Sequence, residues 1–413
     1  MAQLQAVRGT QDVLPAEARR QRLVADTARL IAERYGFGEI VTPIFEFTEV
    51  FTRPIGETTD IVSKEMYTFE DRGGEEVTLR PEGTAGVARA VISNGLTQST
   101  PLKFFYAGPM FRYERPQKGR YRQFSQIGVE LLGPSQPQAD IEVIALGAQI
   151  LDEIGVLKSC VLELNTLGDT ASRQAYRAVL VEYFTQHLDA LSEDSRNRLE
   201  RNPLRILDSK DASDKEIVAG VPSFADYLNP DSQAFFDTVR RGLDALGIAF
   251  TVNPRLVRGL DYYCHTAFEF ITTELGSQGT VLGGGRYDGL MALMGGPDLP
   301  GVGWAGGIER LAMLAAEPPA ETRPIAVIPI GEAAELPALK LTQELRHAGF
   351  TTELGYGGNA GKRMKQANKI KARLALVLGE DELARGVVML RDLDAGEQHE
   401  VPLAEIVQRL GSL

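Results

Sequence analysis

Arg258, Asp261, Tyr262 and Tyr263 crowd into six residues of the stretch LVRGLDYY, residues 256–263, between two strand-like runs at 248–252 and 266–272. Polar groups at that density are costly to bury unless something pairs with them. The Arg258 guanidinium is a planar fork suited to a carboxylate or a phosphate, and each phenol joins an apolar ring to a polar tip. Two further arginines stand in similar company. In FRYERP, residues 111–116, Arg112 and Glu114 are two apart and would face the same way on a strand. In GIERL, residues 307–311, Arg310 opens a helix behind a glycine-rich approach where a phosphate chain could lie close to backbone. Three arginines without a nucleophile suit positioning and electrostatic stabilisation of phosphoryl or nucleotidyl transfer.

Other chemistries lack their residues. There is no G-x-x-x-x-G-K-[ST] phosphate loop, and GVGWAG at 301–306 follows GGPDLP rather than the strand a dinucleotide fingerprint needs. No G-x-S-x-G is present. Two cysteines, Cys160 and Cys264, and four scattered histidines give neither a disulfide framework nor a zinc site, so no metal ligands are expected.

The elements that must carry these residues follow from periodicity. A helix is expected over 16–34, a strand over 37–42 ending at Pro43, a short strand at 77–79, and a helix entered through PEGTA at 81–85. Residues 104–111 and 123–132 read as strands joined by a basic loop, 141–154 as a helix and 159–164 as a strand. From about 168 to 228 charge rises and glycine nearly vanishes, which implies a mostly helical insertion between strands of one sheet. A last helix is expected near 308–314 and a linker at 315–324. Beyond it, strands and helices alternate, implying a small domain with a largely parallel or mixed sheet. The division expected is 1–323 and 324–413.

The 413 residues are 43% hydrophobic and 24% charged, ordinary for a soluble globular chain of two to three domains at ~150 residues each. No apolar run is long enough for a membrane span and no secretory signal opens the chain, so a cytoplasmic, reducing setting is expected, with no membrane partner. The net charge of −12 argues against nucleic acid on average. Two local stripes run the other way: residues 112–122 hold five basic residues and one acid, and 362–373 hold six and none. Lys362, Lys365, Lys369 and Arg373 are spaced to share one helical face.

FRYERPQKGRYRQFSQIGVE, residues 111–130, resembles motif 2 of the class II aminoacyl-tRNA synthetases, and GVGWAGGIERL, 301–311, resembles their motif 3. Residues 37–47 look like motif 1, the dimer-forming element. LVRGLDYY and SQGTVLGGGRYDGL, 277–290, are similar to the two segments peculiar to the histidyl-tRNA synthetase family; PEGTA and RGTQDVLP, 8–15, match it as well. The resemblance runs essentially end to end. It implies an α+β catalytic domain with an antiparallel sheet flanked by helices, a helical insertion, and a C-terminal α/β anticodon-binding domain. It implies activation of L-histidine with ATP and Mg²⁺, transfer to the terminal adenosine of histidine tRNA, and a homodimer.

By position, Glu82, Thr84 and Gln126 would hold the substrate's α-ammonium. Glu130 and Tyr263 would bracket its imidazole, with Tyr262 and Tyr287 completing the walls and Gly283 to Gly285 admitting backbone. Arg112 with Glu114 would serve the α-phosphate, Arg310 the tail of ATP, and Arg258 would sit beside phosphate and carboxylate. Gln117 and Arg122 would meet the tRNA acceptor end, and Lys362, Lys365 and Lys369 the anticodon stem. Asp261 has no role beyond orienting a neighbour. Ser125 and Trp304 depart from the usual motif residues and are expected to pack behind the site. The rivals are a regulatory paralogue that serves ATP phosphoribosyltransferase, a synthetase for another amino acid, and a generic nucleotide-binding module. The paralogue typically lacks both the LVRGLDYY arginine and the C-terminal domain; this chain has both.

Overall fold

Alternation along residues 123–132 sets up the catalytic half of the molecule. Ile127, Val129 and Leu131 are buried in the main apolar core, which turns Gln126, Gly128 and Glu130 to the opposite face of the same strand. The structure, a computed structural model, describes residues 3–56, 59, 61–209, 211–257, 262–276 and 279–412. It divides into two compact units, Met1–Pro318 and Pro319–Leu413.

The first unit begins with α1 (Pro15–Arg34), β1 (Gly38–Glu39), β2 (Phe45–Phe47), α2 (Glu49–Ile55), β3 (Tyr67–Glu70), β4 (Glu76–Leu79) and α3 (Thr84–Ser93). Then come β5 (Leu102–Phe111), β6 (Gln123–Leu132), α4 (Pro137–Glu153) and β7 (Cys160–Thr166). A helical stretch follows: α5 (Thr170–Gln186), α6 (Glu193–Arg201), α7 (Ala212–Val218) and α8 (Pro230–Ala245). The unit closes with β8 (Thr251–Val252), β9 (Cys264–Thr272), β10 (Thr280–Arg286), α9 (Leu290–Leu293), β11 (Gly301–Gly307) and α10 (Ile308–Leu314).

Eight strands form one sheet in the order β1-β5-β6-β11-β10-β9-β7-β8. Its six inner strands pair antiparallel, and only the two edge strands join in parallel. One face is covered by α1, α4, α8 and α10 through Val24, Ile31, Ile144, Leu151, Val239 and Leu311. The other face carries a second core around Phe51, Val91, Tyr262, Tyr263 and Tyr287. The helices α5 to α7 gather a third core around Tyr176, Leu180 and Phe184. There Asp214 accepts from the Ser192 amide (2.9 Å) and from the hydroxyls of Ser192, Ser195 and Ser209 (2.7, 2.6 and 2.6 Å).

The strand expected over 37–42 pairs only at Gly38 and Glu39. Ile40 adds one bond to Phe105, and Thr42 then leaves the sheet to give its carbonyl and hydroxyl to the Arg80 guanidinium (2.9 and 3.1 Å). The segment 301–307 is itself a strand, β11. Arg112 and Glu114 lie just past the end of β5 rather than on it.

The second unit contains β12 (Ile325–Pro329), α11 (Glu335–His347), β13 (Thr352–Leu354), α12 (Ala360–Lys369), β14 (Leu374–Leu378), α13 (Glu380–Ala384), β15 (Val387–Asp392), β16 (Gln398–Pro402) and α14 (Ile406–Gly411). Its sheet runs β13-β12-β14-β15-β16, parallel among the first three strands and antiparallel in the last two pairings. Lys362, Lys365 and Lys369 are exposed on α12. Arg373 does not share their face: the helix ends at Lys369, Lys371 adopts a left-handed φ of 53°, and Arg373 follows in the approach to β14. Arg363 turns inward, bonding the Pro329 carbonyl and Glu335.

Candidate active site

A cleft of about 1300 Å³ opens on the sheet face opposite the main core. Its floor comes from β6, β9, β10 and β11, and its sides from the start of α3, the β5–β6 hairpin and α10. Glu82, Thr84, Gln126, Tyr262, Tyr263 and Gly283 line one part of it; Glu114, Arg120 and Glu269 gather around Arg310 in another, with Arg112 between, close to Glu82 and 3.8 Å from Glu114.

The first part is built on α3. The Glu82 carboxylate accepts the amides of Thr84 (2.6 Å) and Ala85 (2.8 Å), so the positive end of the helix holds it in place. The Thr84 hydroxyl donates to Glu130 (2.7 Å), whose other partners are the phenols of Tyr287 and Tyr106. Glu130 and Tyr287 are each 1% exposed and lie behind the cleft rather than on its wall. Burial, with the charge of Glu82 nearby, pushes the Glu130 carboxyl up to about 8 against the opposing pull of the Tyr287 and Thr84 bonds. Burial also raises Glu82, resisted by the two helix amides. The rings of Tyr262, Tyr263 and Tyr287 pack together with centroids 4.7 to 6.4 Å apart.

Room for this polar network comes from bare backbone. In register, Gly303 of β11 faces Glu130 and Gly128 of β6 faces Tyr106. A Cβ at Gly303 would collide with the Glu130 carboxylate, and one at Gly128 with the Tyr106 ring. Of the three glycines at 283–285, only Gly283 lines the cleft; Gly284 packs on Gly303 and Gly285 on the Thr266 carbonyl.

Next to Glu82, the Arg112 Nε donates to the Pro81 carbonyl (2.8 Å), and its guanidinium lies over the Phe124 ring. Glu114 pairs with Arg120 (2.8 Å) and more loosely with Arg112 (3.8 Å). Burial and the charge of Arg120 both lower the Arg310 pKa. The neighbouring Glu309 uses both carboxylate oxygens to accept the Ser125 amide (2.8 and 3.0 Å), tying motif 3 to motif 2. Trp304 anchors β11 to α4 through the Val143 carbonyl (2.9 Å). Gln117 stands exposed at the hairpin tip, whereas Arg122 lies over the Tyr113 ring (3.7 Å) with its amide on Gly9.

Among the described residues, three buried polar atoms in this cleft have no protein partner: Gln126 Oε1, the Tyr262 hydroxyl and Arg310 Nη2. Buried polar groups are rarely left so unless a ligand completes them. Arg258 and Asp261 lie outside the described residues. Sequence reasoning missed Glu269, which accepts from Thr280 (2.7 Å) on the cleft floor, and the fully buried Arg286, which grips Asp140 on α4 and Asp288. The signal for Glu269 was its place between Phe268 and Phe270, which turns it to the sheet face opposite the main core. For Arg286 it was a charge at the end of an apolar, glycine-rich run.

The Histidyl-tRNA synthetase family model matches residues 9–311, and an Anticodon binding domain model matches 324–413. The chain is 61% identical to the histidine–tRNA ligase of Rhodospirillum rubrum over 99% of both chains, and 58% identical to that of Gluconacetobacter diazotrophicus over the full length of both. Among solved structures it is similar to the apo histidyl-tRNA synthetase of S. aureus, at 36% identity and a TM-score of 0.83, covering 98% of this chain and 99% of that one. With the cleft, the motif register and both domains accounted for, the chain belongs to the histidyl-tRNA synthetase family.

Proposed function

We propose that the chain is a histidine–tRNA ligase: it activates L-histidine with ATP to histidyl-adenylate, releases pyrophosphate, and passes the histidyl group to the 3′-terminal adenosine of histidine tRNA. The observation that carries this reading is one cleft with an acidic, phenol-lined part, a cationic part and unpaired buried polar atoms in both. Glu82 and Gln126 Oε1 would receive the α-ammonium, with Thr84 holding Glu130 in place. Glu130 and Tyr263 would take the two imidazole nitrogens, a pairing that leaves both unmatched by an apolar amino acid.

The substrate carboxylate attacks the α-phosphorus in line, the bond to the β-phosphate oxygen breaks, and pyrophosphate leaves. Arg112 would hold the α-phosphate and Arg310 the phosphate tail, with Arg258 expected to serve the α-phosphate and the substrate carboxylate; two anions held in a cationic clamp react as if intramolecular. Among the described residues no cluster of three or more Asp, Glu, His or Cys could bind an ion alone. Glu114 and Glu269 nonetheless suit Mg²⁺, which takes one or two carboxylates plus substrate phosphates and would neutralise charge on the leaving group. In the second step a ribose hydroxyl of the tRNA attacks the acyl carbon and AMP leaves.

The exposed Gln117, with Arg122 behind it, supports contact with the acceptor end, and exposed Lys362, Lys365 and Lys369 support contact with the anticodon stem. A homodimer through motif 1 is supported by an apolar surface around Pro43, where Val41, Phe45 and Phe47 are 80, 57 and 54% exposed. No described helix is long and apolar enough to cross a membrane, in keeping with work in the cytoplasm.

Histidine-dependent exchange of pyrophosphate into ATP tests the proposal against all twenty amino acids. Exchange is expected with histidine alone. Histidine binding without exchange would overturn it.

A further inference from the structure

Tyr263 stands at a break in the sheet. The β9–β10 ladder slips between Gly285 and Arg286, which pair with Ala267 and Cys264, so His265 and Thr266 leave the ladder. His265 takes a φ of 41°. Its amide and carbonyl bond instead to Gly168 (2.8 Å) and Leu167 (2.6 Å), at the foot of α5. Tyr263 immediately precedes the first residue of the strand, Cys264, on the far side of this break.

An arginine from the helical stretch reaches its main chain. Arg173, in the first turns of α5, donates from Nη1 to the Tyr263 carbonyl (2.9 Å). The base of α5 is itself stiff. Asp169 caps α5 at the Ser172 amide (2.8 Å) and accepts from the Asn229 side chain (2.7 Å). Asn229 caps α8 at the Ser232 amide (2.8 Å), and the hydroxyls of Ser172 and Ser232 take the amides of Asn229 and Asp169 (both 3.1 Å). Two helix N-termini are thus locked to each other at the point from which Arg173 reaches out.

We propose that Arg173 is a positioning residue for the histidine pocket: it sets the main chain of Tyr263, and through it the phenol that faces the imidazole. The helical stretch then governs selection of the amino acid although its own side chains need not touch it. This rests on the proposed activity, and the two fail differently: without that activity the parent enzyme shows no histidine-dependent exchange at all.

The test is exchange kinetics of Arg173→Ala and Arg173→Lys, with KM read separately for histidine and ATP. Arg173→Ala is expected to raise the histidine KM about tenfold, the size of one lost hydrogen bond from a charged donor, with the ATP KM within about twofold of the parent. Arg173→Lys, which keeps a donor for the carbonyl, should recover most of the loss. In a Tyr263→Phe background the alanine change should add less than about twofold, because both act on one phenol. An unchanged histidine KM in Arg173→Ala overturns the proposal. So does a parallel rise in both KM values, or full additivity with Tyr263→Phe, either of which would leave Arg173 a packing residue.

Discussion

Glu130 is held behind the cleft by three side chains, and its raised pKa keeps a proton on it at neutral pH. Its folded pKa of about 8 lies above that of a free carboxyl near 4.3, so between those values the folded enzyme binds a proton that the unfolded chain releases. Stability therefore falls as pH rises across that window. Glu130→Gln should flatten the dependence, melting several degrees above the parent at pH 8 and close to it at pH 5, while histidine-dependent exchange drops by about a hundredfold. Equal melting shifts at both pH values would contradict the assignment. Glu130 was legible from sequence as a carboxylate in motif 2, but its confinement was not. That depends on Tyr106 arriving from β5 and Tyr287 from just past the end of β10, which no local pattern encodes.

At the scale of elements, β5, β6 and α10 were legible because aromatic and β-branched alternation or helical spacing is strong there. Strand β11 was not: four of its seven residues are glycine, poor strand formers by themselves, and it exists because β6 and β10 offer hydrogen-bonding partners on both sides. The misplacement of Arg373 has a similar origin, since spacing alone does not reveal where Lys371 turns the helix off. The helices α5 to α7 depend on a different device. Burial would raise the Asp214 carboxyl, but the Ser195 and Ser209 hydroxyls and the Ser192 amide outweigh it and hold it at about 2. Its stabilisation is thus complete above the ordinary carboxylate range and is lost as pH falls from about 4 to about 2. Asp214→Ala should cost on the order of 2 to 4 kcal/mol and expose α6 and α7 amides to hydrogen exchange at neutral pH. Parent-like protection there would refute the role.

For the molecule as a whole, a net charge of −12 and a nucleic-acid substrate are reconciled by placement. Lys362, Lys365 and Lys369 are exposed together on one helix of the second unit, while the cations of the cleft belong to the first. Replacing all three lysines by alanine should leave pyrophosphate exchange intact, raise the KM for tRNA, and reduce the slope of log affinity against log salt by about 2 to 3. An unaltered slope would place the anticodon contact elsewhere. The composition break near 315–324 is a local signal in the sequence; the cleft was only half readable, since its walls come from segments as far apart as Ile61 and Arg310 and Arg258 lies outside the described residues. The glycines beneath Glu130 and Tyr106 have a historical consequence. A side chain appearing at position 303 would displace the Glu130 carboxylate, and one at 128 would displace the Tyr106 ring that bonds it, so either change would disturb the proposed imidazole contact in a single step. Bare backbone behind the pocket thereby acts as a ratchet: each of these two glycines is held in place by the polar group it makes room for.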